Sequence, residues 1–92
     1  MNDQDEQETA GMEMGVQPVD SLLAAHAIAN HEVVAAITGT GLTHKVVTKA
    51  RKGRQLTAKA QRKVHAAVSA LFKKKALPVP VLSELFNYRG RA

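Results

Sequence analysis

Apolar residues recur at helical spacing only beyond residue 17, which divides the chain into a polar start and a helical remainder. The strongest stripe runs through Ala60, Val64, Ala67, Val68, Leu71 and Phe72. This i, i+4, i+7, i+8 series lays one face of a helix over 58–74 against a core, and Thr57 stands before it as a hydroxyl N-cap. A shorter helix over 44–52 lies between Thr43, another hydroxyl cap, and Gly53, whose tolerance of positive φ suits a helix C-terminus. Pro18 and Asp20 announce a first helix over about 20–29, with Asp20 or Ser21 as cap and Leu22, Leu23, Ala25 and Ile28 among its apolar positions. Asn30 is the expected cap of a second helix, which carries Glu32 in its first turn and Val33, Val34, Ala36 and Ile37 on one face. Gly39-Thr40-Gly41 ends it.

Gln55 and Leu56 read as a short connection between the third and fourth helices. Pro78 and Pro80 make 76–80 an extended connector. Val81, Leu82, Leu85, Phe86 and Tyr88 then give a short fifth helix one apolar side, and Arg89-Gly90-Arg91 follows as a basic tail. The predicted fold is all-α, a small bundle of four to five helices containing a helix-turn-helix, preceded by a disordered acidic N-terminal tail. Residues 1–17 form the tail, 18–75 the helix-turn-helix domain, and 76–92 the connector, short helix and basic end. An alanine- and valine-rich composition, 45% hydrophobic but 3% aromatic, agrees with a helical core of small residues.

Charge sharpens the division. Residues 1–20 hold six carboxylates and no Lys or Arg. The rest holds all thirteen basic residues against Glu32 and Glu84 alone, a net of +11. Between 45 and 63 stand Lys45, Lys49, Arg51, Lys52, Arg54, Lys59, Arg62 and Lys63 without one acid. Ordinary solvated faces mix the two signs. A one-signed cluster repels itself until a polyanion neutralises it, which points to a nucleic-acid partner.

The segment Gly41-Leu42-Thr43-His44-Lys45-Val46-Val47-Thr48-Lys49-Ala50-Arg51-Lys52-Gly53 resembles the turn and recognition helix of the lambda-repressor-like (Cro-type) helix-turn-helix family. The resemblance rests on Gly41, Leu42, the Thr43 cap, Val47 and Ala50 three apart, and the closing Gly53, and Leu56-Thr57 then opens a helix as in that family. It covers residues from about 20 to 72 and departs at Ile37, where the family has a small residue. The resemblance implies sequence-specific binding to double-stranded DNA, by a regulator of transcription.

Helical geometry alone puts His44, Lys45, Thr48 and Lys49 on the outward face of the third helix, with Lys52 one turn on. Lysine can donate to guanine O6 and N7 and threonine can reach base edges, so these four are the expected base contacts. Val46 borders the face, within reach of a thymine methyl. Thr43, Arg51, Lys52, Arg54, Gln55, Thr57 and Lys59 are the expected contacts to the DNA backbone, helped by the positive end of the fourth helix. Lys73, Lys74 and Lys75 add unspecific attraction. A homodimer through residues 81–88 would present two such helices.

Other classes find less support. There is no cysteine, and His26 and His31 have no well-spaced third ligand, so neither a disulfide framework nor a metal site is expected. No phosphate loop, nucleophile elbow or carboxylate pair appears, so no enzyme activity, cofactor or small-molecule substrate is expected. No apolar run is long enough for a membrane span, and the acidic start is unlike a secretory signal, so the expected location is the cytoplasm, with the nucleoid. Two alternatives stay open. One is a basic nucleoid-, RNA- or ribosome-associated protein without base readout, although so few aromatics argue against stacking on single strands. The other is an antitoxin-like interaction module with 81–88 as its binding helix.

Overall fold

The two helices with hydroxyl caps begin and end where local chemistry places them. In the computed structural model, which describes residues 9–91, Thr43 Oγ1 accepts from the Val46 N–H at 3.2 Å and opens helix α3, His44–Lys52. Gly53 closes it at φ 95°, its N–H on the Lys49 carbonyl. Thr57 Oγ1 likewise accepts from Ala60 N–H at 3.1 Å and opens helix α4, Ala58–Lys74. Both ranges agree with the apolar pattern.

The other helices differ from it at their ends. Helix α1 is Pro18–Ala25, two residues earlier than expected at its start because proline fits the first helical position. Asp20 is therefore inside the first turn and caps nothing. The helix ends early in a Schellman turn, with Ile28 N–H on Leu23 carbonyl at 2.9 Å and Ala27 N–H on Ala24 carbonyl at 3.0 Å. The turn buries Ile28 beside Leu23 and forces Ala27 to φ 53°. Helix α2 is Asn30–Ala35, so Asn30 is its first residue and not its cap. Glu32 supplies the cap by accepting from Ala29 N–H at 3.1 Å. That bond holds the Glu32 carboxyl below its ordinary range, and Lys75, 3.5 Å away, adds to the effect. Because α2 stops at Ala35, residues 36–43 form the connection to α3, with Ile37 still packed on the core. Helix α4 ends as α1 does, with Leu77 N–H on Phe72 carbonyl at 2.9 Å and Ala76 at φ 58°. Helix α5 is only Leu82–Leu85.

The all-α expectation needs one correction. Strand β1, Thr9–Glu13, pairs antiparallel with strand β2, Arg54–Leu56, in a bulged two-stranded sheet. The supposed connection at Gln55-Leu56 is thus a strand. Of the expected disordered tail, residues 1–8 lie outside the described residues, while 9–13 are paired. No local pattern marks this pairing, since each strand finds its backbone partner more than forty residues away.

Residues 14–17 continue the attachment. Met14 N–H donates to Gly53 carbonyl at 2.6 Å and Gln17 N–H to Arg51 carbonyl at 3.3 Å. The backbone of Gly15 lies so close to Gly53 that a Cβ on Gly53 would overlap the Gly15 carbonyl. Buried Gln17 reaches across to the other end of the chain, where its Oε1 accepts from Asn87 N–H at 2.8 Å. Gly90 packs against Ala58, Arg91 N–H donates to Leu56 carbonyl, and Ala58 N–H donates to Arg91 carbonyl at 2.7 Å. The basic end at 89–91 is therefore anchored on β2 and the start of α4.

The core gathers on α4, whose Val64, Ala67, Val68 and Phe72 are buried, against Val19 and Leu23 of α1, Val33 of α2 and Val46, Val47 and Ala50 of α3. His65 holds the connector by bonding the Pro80 carbonyl at 2.9 Å. Leu85 and Phe86 are buried in the same core, and Tyr88 packs against it. Of the apolar residues on 81–88, Leu85 and Phe86 are thus covered by their own chain and Leu82 and Tyr88 partly so, while Val81 stays exposed. Tyr88 Oη accepts from Leu56 N–H at 2.8 Å and faces the Arg54 carbonyl at 3.4 Å.

Opposite effects are expected at two helix ends. Gly53→Ala adds a clash to left-handed backbone strain and is expected to cost on the order of 3 kcal/mol or more. Ala76→Gly relieves strain and is expected to gain about 1 kcal/mol, or about 4–8 °C in Tm for so small a domain. Thermal melts of both variants check the two signs.

Tyr88 is the single tyrosine, so its ionisation can be followed by ultraviolet absorbance. Burial is the main cause that raises its pKa above the ordinary value of 10.0, partly offset by the Leu56 N–H bond. A raised folded pKa means that the folded chain holds the phenol proton more tightly than the unfolded chain. Its contribution is present below pH 10 and lost as pH rises through the folded value. Alkaline titration should show tyrosinate forming later in folded protein than in urea. Tyr88→Phe should lose about 1–3 kcal/mol by leaving Leu56 N–H without its acceptor.

Candidate nucleic-acid interface

Helix α3 packs against α1, α2, α4 and β2, and that packing decides which of its side chains remain on the surface. Val46, Val47 and Ala50 turn inward, as does Leu42 before the helix. Val46 is 2% exposed, which corrects the expectation that it borders the outer face and meets a thymine methyl. Three inward positions in five residues leave a single outward strip.

On that strip His44, Lys45, Thr48 and Lys49 line one groove, together with Lys52, Arg54 and Glu13. The groove has a volume of about 420 Å³. All four expected base-contact residues therefore share one concave surface. His44, Lys45 and Lys52 are exposed, and Thr48 and Lys49 are half-buried. Four of the seven lining residues are Lys or Arg, so the groove is strongly cationic. Glu13, carried in by β1, is the one acid among the described residues that line it, and its carboxylate stands 3.8 Å from Arg54 Nη1. Glu13 is exposed and Arg54 half-buried, and at this separation the pair contributes little.

The expected backbone contacts divide. Lys52 and Arg54 line the groove. Thr43 and Thr57 are half-buried caps, each with its hydroxyl oxygen on a backbone N–H. Lys59 is exposed in the first turn of α4, outside the residues lining the groove. Gln55 is half-buried on β2 with its Oε1 buried. The start of α4 offers less to a phosphate than its dipole suggests, because Arg91 and Thr57 occupy the N–H groups of Ala58 and Ala60.

Arg51 needs a larger correction. Its Nε lies 2.6 Å from Asp20 Oδ1, and its Nη1 donates to Asn30 Oδ1 at 2.9 Å and to Ile28 carbonyl at 3.4 Å. The guanidinium is thus directed into the junction of α1, α2 and α3 and not toward a phosphate. Asn30 completes the junction by donating from Nδ2 to Thr48 Oγ1 at 2.9 Å. The sequence pattern treated Asp20 and Asn30 as caps because both side chains suit that position. The partner of Asp20 lies 31 residues away and those of Asn30 lie 18 and 21 residues away, beyond any local signal.

Among the described residues no group of three or more His, Cys, Asp and Glu is placed to hold a metal ion, and no helix is long and apolar enough to cross a membrane. Comparison of the chain with protein-family models, curated proteins and solved structures returns no match.

Arg51→Ala is expected to act first on stability. It leaves Asp20 and Asn30 without their donor, at about 1–2 kcal/mol after allowance for partial exposure. Lys52→Ala on the exposed strip should leave stability within about 0.5 kcal/mol. Denaturant melts of the two variants measure the contrast.

Proposed function

We propose that this protein binds double-stranded DNA by laying α3 in the major groove, as a helix-turn-helix regulator of transcription. One observation carries the reading. His44, Lys45, Thr48 and Lys49 converge on a single cationic groove on the outward strip of α3. An α-helix fits the major groove of B-DNA, and Lys and Thr are residues that read base edges there. Lys52 and Arg54 flank the strip as phosphate contacts. The Cro-type resemblance of residues 41–53 supports the same element as the reader. One such helix reads a short half-site, so two copies on one site are favoured. Their pairing would use surfaces other than the buried Leu85 and Phe86.

Selection of bound sequences from a random duplex pool tests the reading, and enrichment of one motif is the expected result. Enrichment of none, with binding retained, would favour an unspecific basic protein. Affinity should fall steeply with salt, with a log–log slope of about −0.9 per phosphate neutralised. Lys49→Ala should lose about 1–3 kcal/mol at its own base position, while Arg54→Ala weakens all sequences alike. Even losses across a panel of sites by both variants would remove base readout from α3.

A further inference from the structure

Thr48 is the residue of the groove whose hydrogen-bonding polarity is set from behind. Asp20 on α1 is a carboxylate that can only accept when ionised. It holds Arg51 Nε at 2.6 Å. A guanidinium has donors and no acceptor, so the Asn30 atom that meets Arg51 Nη1 at 2.9 Å is its carbonyl oxygen. This orients the whole carboxamide. The Asn30 amide nitrogen then faces Thr48, and the Thr48 hydroxyl oxygen accepts from it at 2.9 Å. A hydroxyl that accepts on one side has its own proton directed elsewhere. Thr48 lines the groove, so an acceptor placed there competes for that proton with the His44 carbonyl one turn back in the helix.

Resting on the DNA reading above, we propose that the Asp20–Arg51–Asn30 relay makes Thr48 a hydrogen-bond donor toward the DNA, with Asn30 as the residue that determines specificity through it. A donor at this position suits guanine O6 or N7, adenine N7 or thymine O4, and disfavours the amino groups of cytosine N4 and adenine N6. Asn30 is a positioning residue, because it acts on the base only through Thr48. The relay also gives α1 and α2 a part in readout that their own surfaces do not supply.

The test compares the full chain with Thr48→Val and Asn30→Asp in selection from a random duplex pool. Thr48→Val keeps the shape and deletes the hydroxyl, so it should lose preference at one base position by roughly 3- to 10-fold. That position identifies the base under Thr48. Asn30→Asp keeps an acceptor for Arg51 but offers a second acceptor to Thr48, which turns the hydroxyl proton inward and presents a lone pair to the DNA. Preference at the same position should then move toward a base with an amino group. General affinity can fall because a negative charge is added, so the change of base and not the affinity is the readout.

An unchanged base preference in folded Asn30→Asp overturns the proposal, as does a Thr48→Val variant with every preference intact. Both results would leave the DNA reading standing. If the parent chain enriches no motif, base readout itself fails, and the relay is judged by NMR of the protein alone. The Asn30 side-chain amide protons should then show contacts to the Thr48 methyl and slowed exchange that Arg51→Lys reduces. Their absence would overturn the relay.

Discussion

A guanidinium that can only donate organises this small fold. Arg51 sits where α1, α2 and α3 meet, and a partly buried cation there requires acceptors on several sides. Asp20, the Ile28 carbonyl and Asn30 provide them, one for each approach to the junction. The consequence is geometric as well as energetic. Three helices joined through residues 26–29 and 36–43 could slide over a core of small residues such as Ala50, Ala60 and Ala67. Directional bonds to a planar group suppress that freedom and fix how far α3 is rotated. The rotation decides which side chains share the cationic groove.

The second constraint is the closure of the chain ends around β2. With only a small core available, a domain of this size gains from every backbone group it can pair. Residues 13–17 bond to the end of α3 from one side, and Tyr88 to Arg91 hold β2 and the start of α4 from the other. Gln17 and Asn87 join the two. Gly53 is central because it ends α3 in a left-handed conformation and also admits the Gly15 backbone at close range. Closure has an electrostatic side effect. It brings the Glu13 carboxylate to the rim of the cationic groove.

Much of the helical skeleton and of the candidate site could be read from the residues directly. Thr43, Thr57 and Gly53 act on atoms three or four residues away, so sequence spacing contains the whole geometry of their bonds. The same holds for the inward Val47 and Ala50 and for the outward His44, Lys45, Thr48 and Lys49, which follow from 3.6 residues per turn. The apolar stripe of α4 also depends only on period. These features were settled by the sequence because each is a relation within one helix.

What the tertiary structure decided are relations between segments. Asp20 and Asn30 have side chains equally suited to capping and to binding a guanidinium, and only the meeting of three helices chose the second. Arg51 and Lys52 are adjacent cations in one pattern, yet packing turns the first into the junction and leaves the second in the groove. Val46 looks like a border residue until β2 and the neighbouring helices cover it. Strands β1 and β2 are short and irregular, and their pairing depends on backbone groups that every sequence possesses. A local pattern specifies the face a residue occupies, whereas the partner on that face is specified by whichever distant segment the closed chain brings to it.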